Sequence, residues 1–272
     1  MNQRKNHSPN RSLTNRSSSK FARDVIDKAQ MDFDARYPGF TLSPITVLIC
    51  AYEEEGNIYD VLSKVPSAIG DLEVSTLVVV DGGDDSTAQI ALEAGVFTFI
   101  FEENLGHGVA LRVGYDLCIK AGTRYVVTID ADGQNDPGEI PGMLEALINN
   151  EADFVVASRR LGQDETTDRM RKAGVRAYSW LTNRLIRTDL TDTSNGYRAL
   201  RTTMLADVVG RLKQDQYQTA ELVITAVKRG WRITECPTIW HPRHSGKSKK
   251  GSNLLFGFRY GRVIISTWWR ER

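Results

Sequence analysis

Apolar and polar positions change rhythm twice along this chain. Residues 1–20 are rich in Asn, Ser and Arg and almost devoid of apolar side chains, which predicts a disordered tail. From Phe21 to Tyr37 the apolar residues recur at helical spacing. Short β-branched runs then alternate with helical stretches. Strands are expected at Ile45–Cys50, Thr76–Val80, Val96–Phe101, Tyr125–Ile129 and Phe154–Ala157. Helices are expected from Asn57, from Ser86, over Gly108–Ala121 and over Gly138–Asn149. Five apolar strands, each followed by a turn rich in Gly, Asp or Asn, predict an α/β fold with a mostly parallel central sheet and helices on both faces. Beyond it the pattern predicts a helix over Arg169–Arg187, a loop at Asp192–Arg198, a helix near Gln218–Lys228 and a strand at Arg232–Cys236. A basic loop and a final helix from about Asn253 to Arg270 complete the chain. The divisions read as a basic tail over 1–20, a helical extension over 21–43, the principal domain over 44–240, and a basic loop with an amphipathic helix over 241–272.

At 272 residues, with 41% apolar and 25% charged, the chain can bury the core of one large α/β domain. Three scattered cysteines with no CxxC pair exclude a zinc ribbon and a disulfide framework, and suit a reducing cytosol. The N-terminus has no apolar signal region, and no run of 18 apolar residues is present to span a bilayer. A formal net charge of +1 conceals an asymmetry. Residues 1–20 carry five basic residues and no acid; residues 241–272 carry eight against Glu271 alone, so the body between is strongly acidic. Basic ends on an acidic body suggest an anionic partner at the ends.

The candidate chemistry lies where Tyr125–Ile129 runs into Asp130-Ala131-Asp132-Gly133-Gln134-Asn135-Asp136-Pro137. A period of two places the Asp130 and Asp132 carboxylates on one side. At the carboxyl end of a parallel strand, such a pair suits a hard divalent cation shared with a diphosphate. Asp136 reads instead as a helix N-cap, because Pro137 and Glu139 fall at the first and third helical positions. Two further turns converge on the same edge. Ala51 to Asn57 offers the Tyr52 ring and the carboxylates of Glu53 and Glu54, which also suit a helix N-terminus. Asp81-Gly82-Gly83 offers an acid at a strand end beside two glycines that permit close approach. Arg198, Arg243, Lys247 and Lys249 are cations of the kind that clamp phosphate, or exposed basic loop residues. Rival motifs fail. An EF-hand starting at Asp130 would have Asn135 at its glycine position and Pro141 at its last ligand, and a phosphate loop ending Gly246-Lys247-Ser248 would need glycine at His241. Gly106-His107-Gly108 lacks the third glycine of a dinucleotide fingerprint at Leu111 and reads as a closely packed helix entry.

Together these turns resemble the inverting family 2 glycosyltransferases of GT-A fold, most closely the polyprenol-phosphate (dolichol-phosphate) mannose synthases, from about Pro44 to Arg262. Ile49-Cys50-Ala51-Tyr52-Glu53-Glu54-Glu55-Gly56-Asn57-Ile58 resembles the family's opening I-P-x-Y-N-E-x-x-N-I, with Cys50 in place of proline and Glu53 in place of asparagine. Val80-Asp81 is similar to its nucleoside-binding strand end, with Gly82 in place of the usual second acid. Asp130-Ala131-Asp132 with Gln134 resembles the D-A-D-x-Q that holds metal and donor diphosphate. Ser158-Arg159 is similar to G-S-R, Asp192–Arg198 to D-x-x-S-G-F/Y-R, and Pro237 through Arg243 to Lys249 to P-I-x-F-x-x-R…G-x-S-K.

The resemblance implies a nucleotide-sugar site of Cys50, Tyr52, Glu54, Val80, Asp81, Asp130, Ala131, Asp132, Gln134, Arg159, Arg198, Arg243 and Lys249. It implies Mg²⁺ or Mn²⁺ on Asp130, Asp132 and Gln134, and catalytic work by Asp132, Arg243 and Lys249. The expected reaction moves one sugar, mannose or glucose, from a GDP-mannose or UDP-glucose type donor to a polyprenyl phosphate. Such an acceptor is already ionised and needs no strong base. The expected place is the cytoplasmic face of a membrane, held peripherally on anionic lipid by the final helix, with no nucleic acid involved. A homo-oligomer or a separate membrane-anchoring subunit stays open as partner. The alternatives are transfer to a hydroxyl acceptor, with Glu221 as base, and a non-catalytic nucleotide-sugar-binding protein.

Overall fold

The computed structural model describes residues 20–243 and 253–272, the side chains of 253–256 excepted. The expectations for the 1–19 tail, for Gly246-Lys247-Ser248 and for Lys249 lie outside the described residues. The sheet is built from β1 (Ile45–Ala51), β2 (Ala68–Ile69), β3 (Leu72–Val80), β4 (Phe97–Ile100), β5 (Tyr125–Asp130), β6 (Phe154–Asp164), β7 (Arg198–Arg201) and β8 (Ile233–Trp240). The helices are α1 (Lys20–Arg36), α2 (Ile58–Lys64), α3 (Thr87–Glu93), α4 (His107–Lys120), α5 (Ile140–Ile148), α6 (Arg169–Ile186), α7 (Thr202–Val208), α8 (Gln218–Lys228) and α9 (Asn253–Arg270). A 3₁₀ turn at Pro137–Glu139 leads into α5, and the Asp136 carboxylate accepts from Gly138 N at 2.9 Å, which bears out the N-cap expectation.

β4, β3, β1 and β5 lie side by side and parallel, as the alternating pattern predicts. Their residues are buried on both faces, and the period of two divides them between two cores. Leu48, Cys50, Leu77, Val79 and Val126 face one side; Val47, Ile49, Val78, Val80 and Val127 face the other. The first core also takes in Phe33 of α1, which packs on β4, and Tyr260 and Ile264 of α9, which packs on α6 and α8. The second half departs from expectation. β7 was read as the end of a loop, yet it inserts antiparallel between β5 and β6, and β8 then pairs parallel with β6. Its four residues, Arg-Ala-Leu-Arg, are too short and too polar at the ends to announce a strand; the open edge of β5 recruits them. β6 and β8 run beyond their apolar segments, to Asp164 and Trp240, because they pair with each other past an irregularity between Ser158 and Gln163.

Gly106-His107-Gly108 is a closely packed helix entry, as expected, but against a loop rather than a strand. Gly106 takes φ 107°, and Gly108 N donates to Asp215 O at 2.8 Å. Arg112 holds the same loop, donating to Gln214 O at 2.6 Å and pairing with Asp215 at 3.0 Å. A Cβ on Gly108 would lie 2.2 Å from Gln214 O, which is backbone and cannot swing aside. Gly108→Ala is therefore expected to lower stability by about 1–3 kcal/mol, read from chemical denaturation. Unchanged stability would mean that the 213–217 loop yields freely.

Candidate active site

β1 and β5 end level, with Cys50 opposite Asp130, and β3 ends beside them with Val80 opposite Ala51. The three expected turns therefore open on one edge. Cys50, Val80 and Ala131 are buried, so they line it with backbone rather than side chains. Glu53 is forced to φ 50°, and the Gly83 Cα faces Tyr52 and Glu53 closely enough that a Cβ there would lie 3.1 Å from Glu53 Cγ. The glycine lets the first two turns meet.

An arginine delivered from the far end of the chain dominates the edge. Arg243 Nη1 donates to Glu54 Oε1 at 2.8 Å and Nη2 to Asp132 Oδ2 at 2.7 Å. The other oxygen of Glu54 accepts from Asn57 Nδ2 at 2.7 Å, and Asp132 Oδ1 from Gln134 N at 3.1 Å. Gln134 ties this turn to the exit of β8, donating to His241 O at 3.0 Å and accepting at its own carbonyl from His241 N at 2.9 Å. Burial alone would lower the Arg243 pKa, but the charges of Asp132 and Glu54 raise it. Asp130, whose charge also reaches Arg243, is half-buried beside Gly196, where a Cβ would come within 3.0 Å of its Oδ1.

Two of the expected metal ligands are engaged by protein groups. Among the described residues no three His, Cys, Asp or Glu side chains gather around one point. The Gln134 amide is turned to His241, and one Asp132 oxygen rests on a guanidinium. The chemistry nevertheless fits a cation, because a positive group already sits between two nearly buried carboxylates, with side chains 11% and 8% exposed.

Two arginines expected at the donor also brace the scaffold. Arg159 pairs with Asp192 at 2.6 and 2.8 Å and donates to Ser194 at 2.8 Å. Burial would raise the Asp192 pKa, but the Arg159 charge lowers it. Arg198 is fully buried and donates to the carbonyls of Asn195 (2.7 Å), Thr219 (2.8 Å) and Thr193 (3.1 Å). Its guanidinium shapes the loop that passes Asp130. Glu221, considered as a base, is fully buried in contacts with Lys213 N (2.8 Å), Gln214 N (3.0 Å) and Arg270 (2.7 Å), so it does not face the edge. The sequence marks Glu139 only by its helical position; it accepts from Ile239 N at 2.9 Å and from the Thr238 hydroxyl, bracing the end of β8 against the helix cap. Its place at the third helical position was the available signal.

Comparison with known proteins agrees with this geometry. The sequence pattern described as glycosyl transferase family 2 matches residues 46–209. The chain is 32% identical to a dolichyl-phosphate hexose transferase of Haloferax volcanii, over 86% of this chain and 97% of that one. It is 27% identical to an undecaprenyl-phosphate mannosyltransferase of Micrococcus luteus, over 78% and 89% of the two chains. Among solved structures, a glucosyl-3-phosphoglycerate synthase from Mycobacterium tuberculosis in complex with Mn²⁺, uridine diphosphate and glucosyl-3-phosphoglycerate superposes with a TM-score of 0.63. Identity there is 20%, over 89% of this chain and 83% of that one.

Asp81, expected at the nucleoside, turns inward. It is 3% exposed, and its carboxylate accepts from Leu105 N at 2.8 Å and Gly106 N at 2.9 Å, fixing the entry to α4. Burial pushes this carboxyl up to about 7, against the pull of those two N–H groups. Its folded pKa lies above the unfolded value near 4, so the folded state holds a proton that the unfolded state has lost. The linked stabilisation is complete below about pH 4 and is lost as pH rises to about 7. The stability of the parent relative to Asp81→Asn should therefore fall by roughly 1 kcal/mol per pH unit across that window. Denaturant titrations of both proteins from pH 5 to 8 measure it; a constant difference would mean that Asp81 is ionised throughout.

Proposed function

Because this chain belongs to glycosyl transferase family 2, we propose that it transfers one sugar, with inversion, from a nucleotide diphosphate sugar to a polyprenyl phosphate at a membrane surface. The fold is GT-A and the chain is a glycosyltransferase. The observation that carries the finer reading is Arg243 held between Asp132 and Glu54 at the carboxyl ends of β1 and β5. A divalent metal, Mg²⁺ or Mn²⁺, would neutralise charge on the departing diphosphate. Asp132 and Asp130 would hold it, with Gln134 beside them. Arg243 would then share Asp132 with the cation, and its guanidinium would be a donor for phosphate oxygens. Tyr52 and Glu54 are assigned to the nucleoside, and Lys249 is assigned a second phosphate contact.

The acceptor reading rests on the polyprenyl-phosphate relatives and on Glu221. An alcohol acceptor would need a base, and the residue considered for that role is buried in contacts with backbone and Arg270. Incubation with GDP-mannose, UDP-glucose or UDP-N-acetylglucosamine and a short polyprenyl phosphate, with Mn²⁺, is expected to give glycosyl-phosphate product with one donor and none with the matching alcohol. Asp132→Ala should abolish transfer, and Arg243→Ala should lower it about tenfold or more while tightening Mn²⁺ binding in the absence of donor. Transfer to the alcohol at the same rate, or full activity of Asp132→Ala, would sink the proposal.

α9 was expected to lie on the membrane. It docks on the body instead along Tyr260, Val263, Ile264 and Thr267, and Arg270 turns back to Glu221 rather than outward. One face is left over, with Phe258, Ile265 and Trp269 at 76%, 53% and 65% exposure and Arg262 among them. α6 packs beside α9, with the Tyr178 and Tyr260 rings 4.7 Å apart. It carries no acid, and it presents Arg169, Arg176, Trp180 and Arg184 outward at helical spacing. No helix among the described residues is long and apolar enough to cross a membrane. Aromatic rings among arginines instead suit the interface of an anionic bilayer. The parent protein should float with anionic liposomes, less with neutral ones, and severalfold less after Trp180→Ala and Trp269→Ala together. Equal recovery of all samples in the soluble fraction would remove the membrane from the proposal.

A further inference from the structure

Asn135 is 2% exposed, and neither its Oδ1 nor its Nδ2 has a hydrogen-bond partner. Its neighbours hold it inward. On one side Gln134 is tied to His241 through both its backbone carbonyl and its side-chain amide. On the other, the Asp136 carbonyl accepts from the Tyr197 hydroxyl at 2.9 Å, and the Asp136 carboxylate caps Gly138. The Asn135 amide lines a cavity of about 10 Å³ between α2 and the 133–137 turn. Asn57, Val61, Gly133 and Pro137 wall it, together with the exposed Asp60 and Lys64.

A buried amide without partners carries the full cost of its lost hydration, so such atoms are almost always met. An amide presents an oxygen that only accepts and a nitrogen that only donates, so a bare anion or cation would satisfy half of it. A water does both, and the cavity has room for about one. Its walls belong to the supports of two carboxylates. Asn57 Nδ2 donates to Glu54 Oε2 at 2.7 Å, and Gly133 stands between Asp132 and Gln134, whose N donates to Asp132 Oδ1 at 3.1 Å. Glu54 and Asp132 are the pair that Arg243 joins. A guanidinium fork is rigid and a metal tolerates little error in its oxygens, so the spacing of these supports is felt at both carboxylates.

We propose that Asn135 binds one buried water and through it acts as a positioning residue for Asp132, keying the Asp132 turn to the α2 entry that holds Glu54. The bearing on the metal rests on the divalent-metal reading above; the water does not. A crystal structure of the full chain, at a resolution that orders waters, should show one in hydrogen-bond contact with the Asn135 amide. Mn²⁺ titration in the presence of UDP, followed by electron paramagnetic resonance, reads the positioning. Asn135→Leu is close in volume but has no polar atom, and should raise the Mn²⁺ dissociation constant about tenfold, as loss of an outer-shell partner does. Binding of UDP without metal should not change. Asn135→Ser keeps a hydroxyl and leaves space for a second water; it should recover part of the loss, and it keeps the question open to measurement if Asn135→Leu fails to fold. A dry cavity in the parent, or an Asn135→Leu more stable than the parent in chemical denaturation, would overturn the bound water, because deleting unpaired polar atoms from a dry site stabilises. Unchanged Mn²⁺ binding in both variants would overturn the positioning role, leaving Asn135 structural. Asp132→Ala is the control: if it binds Mn²⁺ as the parent does, the metal reading falls and the positioning role with it, while the water stands or falls on its density.

Discussion

Carboxylates gathered at the ends of parallel strands repel one another unless a cation joins them, and here that cation is Arg243. Two unit charges about 4 Å apart attract by roughly 4 kcal/mol in surroundings of intermediate polarity, and this guanidinium meets two carboxylates at hydrogen-bond distance. The contact draws the exit of β8 over the ends of β1 and β5, so the C-terminal segment closes the crevice that the N-terminal half opens. It also sets a competition. A metal or phosphate bound there would compete with a charge-paired group rather than with water alone.

The other arginines show how one side-chain type serves two ends. Arg159 and Arg198 are tied into the protein, one by Asp192 through Nε and Nη2 and the other by three carbonyls. They hold the 192–198 loop in place.

The same accounting separates the two sides of α9. Its inner residues extend the sheet's core, and its Arg270 anchors to a buried carboxylate. The aromatic residues and arginines that remain outside lie beside those of α6, on a pair of helices that hold between them only one acid, at Glu271, just past the end of α9. The outer faces of α6 and α9 thus form one basic surface.

Much of this was legible in the residues themselves. Runs buried on both faces can only be central strands, a proline after an aspartate can only begin a helix there, and acids at strand ends lie on the binding edge of an open sheet; β1, β3, β5, the Asp136 cap and the converging turns followed from these local constraints. What the sequence could not decide depended on partners distant along the chain. β7 exists because β5 leaves an unpaired edge. Arg198, matched by motif to a donor contact, is consumed by backbone carbonyls, and Asp81 by the entry to α4. Glu221 is turned away by Arg270, and Asp132 faces Arg243 in place of a ready-made metal cage. A motif specifies which groups are present, but hydrogen bonds saturate, and only the packed chain determines which groups have already spent theirs.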